Sequence, residues 1–115
     1  PKFLKLMTQG MNQVVNTPGS TAYGCRIMEE GMEMAGKTGT TQVRRITEKE
    51  RASGQTSSAN WVWHHRDHAF FVGFAPVHNP RFAAIVFVEH GVNGAKVAGP
   101  IARDILLLAQ QLYSS

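Results

Sequence analysis

The chain has 115 residues, 43 % of them hydrophobic and 17 % charged, with a formal net charge of +4. That length holds one domain at most, and the balance excludes an intrinsically disordered chain. The lone Cys25 excludes an intrachain disulfide, and neither a leader-like nor a membrane-spanning run occurs among these residues, which says nothing of any longer protein.

Residues 4–15, LKLMTQGMNQVV, repeat apolar positions at Leu4, Met7, Met11 and Val15, a helical spacing weakened by Gly10. NTPGS then breaks the chain. Residues 34–43 read as a strand, and within them lies AGKTGTT. The polar stretch 44–66 carries Arg44, Arg45, Lys49 and Arg51, diluted by Glu48 and Glu50. It reads as a long, mobile, solvated loop. With no aromatic stacking platform or recognition helix beside the cations, no nucleic-acid partner is expected. HAFFVGFA (68–75) and RFAAIVFVEH (81–90) are apolar on both faces, which suits central strands covered on both sides. The short, turn-rich PVHNP between them makes the pair antiparallel. Ile101, Ile105, Leu108 and Leu112 follow at steps of 4, 3 and 4, predicting a closing amphipathic helix with Pro100 in its first turn. The fold class is therefore α+β: an antiparallel three-stranded sheet (34–43, 68–75, 81–90) with N- and C-terminal helices. Three strands and two helices make a thin core, as expected of a piece of a larger domain.

Several side chains invite a binding role. HHRDH brings His64, His65, Asp67 and His68 together in sequence, but consecutive residues of an extended segment point to opposite sides, so a metal site is not expected. No cofactor motif is present, and none is expected. Trp61 and Trp63 are spaced to share one face of an extended stretch and to cover the core. Met28, Met32 and Met34 suit core gaps.

The K-T-G stretch carries more specific chemistry. A strand at the wall of a cleft offers backbone N–H groups to a developing oxyanion and hydroxyls to a carboxylate. A lysine beside them supplies fixed positive charge and perturbs a neighbouring nucleophile. Glycine lets something approach the backbone closely. The same four residues, Lys37, Thr38, Gly39 and Thr40, also suit an ordinary exposed strand, and they supply no nucleophile.

The surrounding residues extend the pattern. AGKTGTTQV resembles the third motif of the penicillin-binding proteins and serine β-lactamases. VVNTPGSTAYGCRI upstream, RDHAFFVGFAPVHNPRFAAIVFVEHG downstream and AGPIARDIL near the end are similar to class B, elongation-type penicillin-binding proteins. The resemblance implies a partial β-lactamase/transpeptidase-like fold in which the motif strand lines the active site. It also implies an enzymatic parent, a serine D,D-transpeptidase that cross-links peptidoglycan and binds penicillin. Lys37 would contribute charge near the nucleophile, and Thr38 and Thr40 hydroxyls would hold the carboxylate of a stem peptide or a β-lactam. The Thr40 N–H would be one oxyanion donor, and Gly39 would keep the wall open.

None of the five lysines (Lys2, Lys5, Lys37, Lys49, Lys96) has a serine three positions before it, so S-x-x-K is absent. Ser58–Asn60 fits S-x-N by letters but follows K-T-G, against the family order, and is read as coincidence. Residues 1–115 are thus expected to be a C-terminal part of a transpeptidase domain, inactive alone, completed by the N-terminal remainder of the same protein. The resemblance further implies the periplasmic face of the inner membrane and an elongation glycosyltransferase as partner, while the unpaired, long and apolar edge of strand 81–90 predicts self-association there. A β-lactamase or β-lactam-sensor relative and a small basic binding module are the other function classes.

Overall fold

In the computed structural model, which describes residues 1–54, 59 and 61–113, six main elements follow in chain order. They are α1 (Lys2–Asn16), β1 (Ala35–Thr41), α2 (Glu48–Ala52), β2 (His68–Ala75), β3 (Phe82–Val88) and α3 (Gly99–Tyr113). Single helical turns at Tyr23–Cys25, Trp63–His65 and Gly94–Ala98 join them.

The strands form one antiparallel sheet in the order β1–β2–β3. Lys37 lies opposite Val72, which lies opposite Ile85. The α+β class and all three expected strands hold, but two strands are shorter than expected. β1 stops at Thr41, and the Val43 N–H donates instead to Asp67 Oδ1 at 3.2 Å. β3 stops at Val88 because His90 (φ 53°) and Val92 (φ 68°) leave the extended region.

One face of the sheet carries the core. Ala69, Phe71 and Ala75 of β2 and Val86 of β3 are buried there. Val15 of α1, Met34, and Ala102 and Leu106 of α3 are buried with them. Burying a side chain such as Phe71 or Leu106 stabilises by about 1.5–3 kcal/mol. The glycine at 36 admits the Phe71 ring, whose Cζ would stand 2.3 Å from a Cβ built there.

The opposite face corrects the expectation of strands covered on both sides. Ile85 is 75 % exposed and Phe87 54 % exposed. By alternation along the strands, Lys37, Gly39, Phe70, Val72 and Phe74 share that open face.

α3 forms where expected but turns its other stripe inward. Gly99, Ala102, Leu106 and Gln110 are buried, whereas Ile101, Ile105, Leu108 and Leu112 are exposed. Small residues decide the orientation. Gly99 lies so close to Cys25 that a Cβ would stand 2.6 Å from its Sγ. Gln110 satisfies its buried carboxamide by donating from Nε2 to the Met32 carbonyl at 3.0 Å and to the Leu106 carbonyl at 3.2 Å.

The stretch 44–66 also departs from a featureless loop. Thr47 caps α2, its Oγ1 accepting the Glu50 N–H at 3.2 Å. The Arg44 guanidinium sits 3.6 Å over the Trp61 ring and donates to both carboxylate oxygens of Glu50 at 3.3 and 3.0 Å. Trp61 therefore covers an arginine, and Trp63 is exposed on a helical turn; the two do not share a core-facing strand face. Residues 55–58 and 60, with Ser57, Ser58 and Asn60, lie outside the described residues. Of the three methionines, Met34 is buried and Met32 packs against the core, but Met28 is 75 % exposed.

Candidate active-site wall

β1 is an edge strand of the sheet, so part of its backbone N–H and C=O row faces away from β2. Against that free side lies a groove of about 340 Å³ lined by Lys37, Thr38, Gly39 and Thr40 on one wall. Thr21, Val92, Asn93, Gly94 and Ala95 form the rest. All four residues singled out in the sequence thus share one cleft. The second wall went unnoticed in the sequence, although Asn-Gly at 93–94 before an apolar helix is a recognisable start signal. Asn93 indeed caps the turn, its Oδ1 accepting the Lys96 N–H at 3.0 Å.

Strand alternation divides the K-T-G side chains. Lys37 belongs to the open face, with Val72 and Ile85 beside it. Its ammonium donates to the Thr38 carbonyl at 2.8 Å. Thr38 and Thr40 belong to the opposite face, toward the Val92–Ala95 wall.

Gly39 is close-packed on both sides. A Cβ there would stand 2.1 Å from the Phe70 Cζ. On the other side, a Cβ on Gly94 would lie 3.0 Å from the Gly39 oxygen and 3.1 Å from its nitrogen. The close approach the glycine permits is thus made by an aromatic ring of the neighbouring strand and by the facing wall.

The histidines do not gather on an ion site. His64 and His65 meet edge to face at 4.3 Å, while His68 turns to His90. Among the described residues no three metal-ligating side chains converge. Cys25 is buried against Gly99 at the start of α3, its thiol donating to the Ala22 carbonyl at 3.2 Å. Burial pushes its pKa up, partly offset by the Arg103 charge and by its own backbone hydrogen bond. Such a thiol is a poor nucleophile.

An edge strand bearing Lys-Thr-Gly-Thr at a groove, backed by a hairpin and a terminal helix, is the arrangement that the resemblance to the penicillin-binding proteins implied. Residues 1–107 match the family model described as the penicillin binding protein transpeptidase domain, and the chain belongs to that family. It is 33 % identical over 98 residues to the peptidoglycan D,D-transpeptidase MrdA of Haemophilus influenzae, covering 85 % of this chain and 14 % of that protein. With MrdA of Escherichia coli K12 it shares 31 % identity over 104 residues, 90 % of this chain and 16 % of that protein. The fold matches penicillin-binding protein PBP2 in its complex with MreC from Helicobacter pylori, with a TM-score of 0.70 and 27 % identity. That match covers 98 % of this chain and 17 % of the other. Pseudomonas aeruginosa PBP2 in complex with WCK 5153 gives a TM-score of 0.63 at 34 % identity, over 96 % of this chain and 19 % of that one. The chain thus spans under a fifth of these relatives.

Proposed function

We propose that residues 1–115 are the C-terminal part of the transpeptidase domain of a peptidoglycan D,D-transpeptidase, and that they supply its K-T-G wall. The observation that carries this reading is the groove in which Lys37–Thr40 face Val92–Ala95. In the reaction, a serine hydroxyl on the preceding part of the protein attacks the carbonyl of the penultimate D-alanine of a stem peptide. The terminal D-alanine leaves with the proton on its amine, and a serine ester remains. The amine of a second stem peptide then attacks that ester, forming the cross-link and returning a proton to the serine. A β-lactam acylates the same serine, but its leaving nitrogen stays tethered, so the ester persists.

Within that scheme Lys37 acts on the open face of the sheet, where it lowers the cost of charge on the nucleophile and its neighbours. The Thr38 and Thr40 hydroxyls, on the other face, bind the terminal carboxylate. The Thr40 N–H donates to the oxyanion; loss of one such donor costs about 10²–10³ in rate. The apolar residues around Lys37 on the open face receive the segment that carries the nucleophile. The protein works at the periplasmic face of the inner membrane, with an elongation glycosyltransferase and a partner of the kind MreC is for the Helicobacter pylori relative. Alone, the chain self-associates through the free edge of β3.

The test is a fluorescent penicillin followed on denaturing gels. The 115-residue chain should stay unlabelled. In a longer protein that joins it to a serine nucleophile, Lys37→Ala should slow labelling strongly. Thr40→Ala should slow it less, since its N–H remains and one charge-assisted hydrogen bond is worth about 1.5–3 kcal/mol. Stoichiometric labelling of the chain alone, or an unaffected Lys37→Ala protein, would overturn the reading.

A further inference from the structure

The wall facing K-T-G is built on a turn that its own residues do not hold. His90 and Val92 both adopt left-handed backbone, with φ of 53° and 68°, and for a β-branched residue that region is costly. Within the turn there are only local bonds, from the Gly91 N–H to the Val88 carbonyl at 3.2 Å and from the Asn93 N–H to the Gly91 carbonyl at 2.8 Å.

The restraint comes from the segment entering β2. The His90 N–H donates to His68 Nδ1 at 2.9 Å. His90 Nδ1 lies 2.7 Å from the Arg66 carbonyl. The Val92 N–H donates to the Asp67 carbonyl at 2.9 Å. Three successive residues, Arg66, Asp67 and His68, therefore each grip the turn. Rings reinforce them: His90 lies 4.2 Å from Trp63 and 4.5 Å from His68, and His68 lies 5.2 Å from Phe87, between ring centres.

These partners fix the tautomers. A carbonyl only accepts, so His90 carries its proton on Nδ1. A backbone N–H only donates, so His68 Nδ1 is bare and the neutral ring holds its proton on Nε2. His68 also stands directly opposite Thr41, next to the K-T-G residues. One side chain thus joins the end of the motif strand's partner to the far wall of the groove.

We propose that His68 and His90 are positioning residues, a latch that holds the Glu89–Asn93 turn in its strained form and so sets the Val92–Ala95 wall against Lys37–Thr40. Neither touches the groove; both act through the turn. The significance of the latch rests on reading the groove as the substrate wall. Its test needs neither substrate nor nucleophile, so the two can fail separately.

The experiment is nitrogen-15 NMR of the labelled 115-residue chain, with long-range correlations through the imidazoles. Wild type should show His68 as the Nε2–H tautomer and His90 as the Nδ1–H tautomer. His68→Leu should shift the amide resonances of Val92, Asn93, Gly94 and Ala95, and of Thr40 across the groove. His68→Asn, whose carboxamide oxygen can stand where Nδ1 stands, should restore them. If ring bulk against Phe87 were the whole role, leucine would serve better than asparagine. Leucine leaving the groove resonances in place, or asparagine failing to restore them, would overturn the proposal. So would a wild-type His68 protonated at Nδ1, which decides the matter even where His68→Leu does not fold.

Discussion

Gly39→Ala tests why the motif needs its glycine. The added methyl would stand 2.1 Å from the Phe70 Cζ, 2.4 Å from its Cε1 and 2.6 Å from its Cε2, so the ring must leave its place across β1. Phe70 is only half-buried and sits on the open face, so the ring can rotate outward without breaking the core. The cost is therefore that of overpacking a partly relaxing site, about 1–3 kcal/mol. At this chain length that lowers the melting midpoint by roughly 4 °C per kcal/mol.

Phe70→Ala removes the clashing atoms and supplies the double-mutant cycle. Thermal or urea unfolding of the four chains, followed by far-UV circular dichroism, should show the Gly39→Ala cost falling below about 0.5 kcal/mol in the Phe70→Ala background, since the pair is in direct contact. A cost unchanged by removing Phe70 would refute the account and return Gly39 to a role in ligand access alone.

Three further outcomes follow from named contacts. The Arg44 hydrogen bond holds the Glu50 carboxyl below its ordinary range. What that contact contributes is present above the ordinary carboxylate pKa and lost as pH falls through the lowered one, so Trp61 fluorescence, reporting the Arg44 stack, should hold to mildly acidic pH and change only below it. Cys25, buried and with its pKa raised, should react slowly with iodoacetamide at neutral pH and rapidly once urea unfolds the chain. Ile85→Lys places a charge on the exposed face of an edge strand, where natural sheets use lysine to block pairing, and should lower association measured by sedimentation without lowering the melting midpoint. Equal association of the variant would remove β3 as the contact.

The strands were legible because their signal is local. HAFFVGFA between turn residues can hardly be anything else, and β2 spans those eight residues. α3 shows where such reasoning stops. Its stripe Ile101, Ile105, Leu108, Leu112 is the stronger periodic signal, yet the structure buries Gly99, Ala102, Leu106 and Gln110. Periodicity says that a face is apolar and cannot say which apolar face meets the sheet first; the small residues that allow close approach decide that. α2 was readable, since Thr47 with Glu50 three positions later is a capping-box signature in sequence, of which the structure forms the Thr47 half. The four motif residues were legible from letters alone. Of the facing wall, the Asn93–Gly94 start was legible but its place beside K-T-G was not, since the contacts of His68 and Arg66 with His90 join residues more than twenty apart.

The two halves of the candidate site differ in how far this chain completes them. On the face of Thr38 and Thr40 stand the hydroxyls, the Val92–Ala95 wall and the buried core beneath. On the face of Lys37, the neighbours are Val72, Ile85, Phe70 and Phe87, with the two β3 residues, Ile85 and Phe87, largely open to water. Exposed aromatic and branched residues around a single cation are poorly suited to a solvated surface, where each buried CH₂ would be worth about 0.8 kcal/mol. Lys37 alternates onto the face opposite the two hydroxyls, and its ammonium donates to the neighbouring Thr38 carbonyl. The Lys37 face is an open apolar surface with one lysine beside it, and on the function proposed above it is the side that needs cover from further chain.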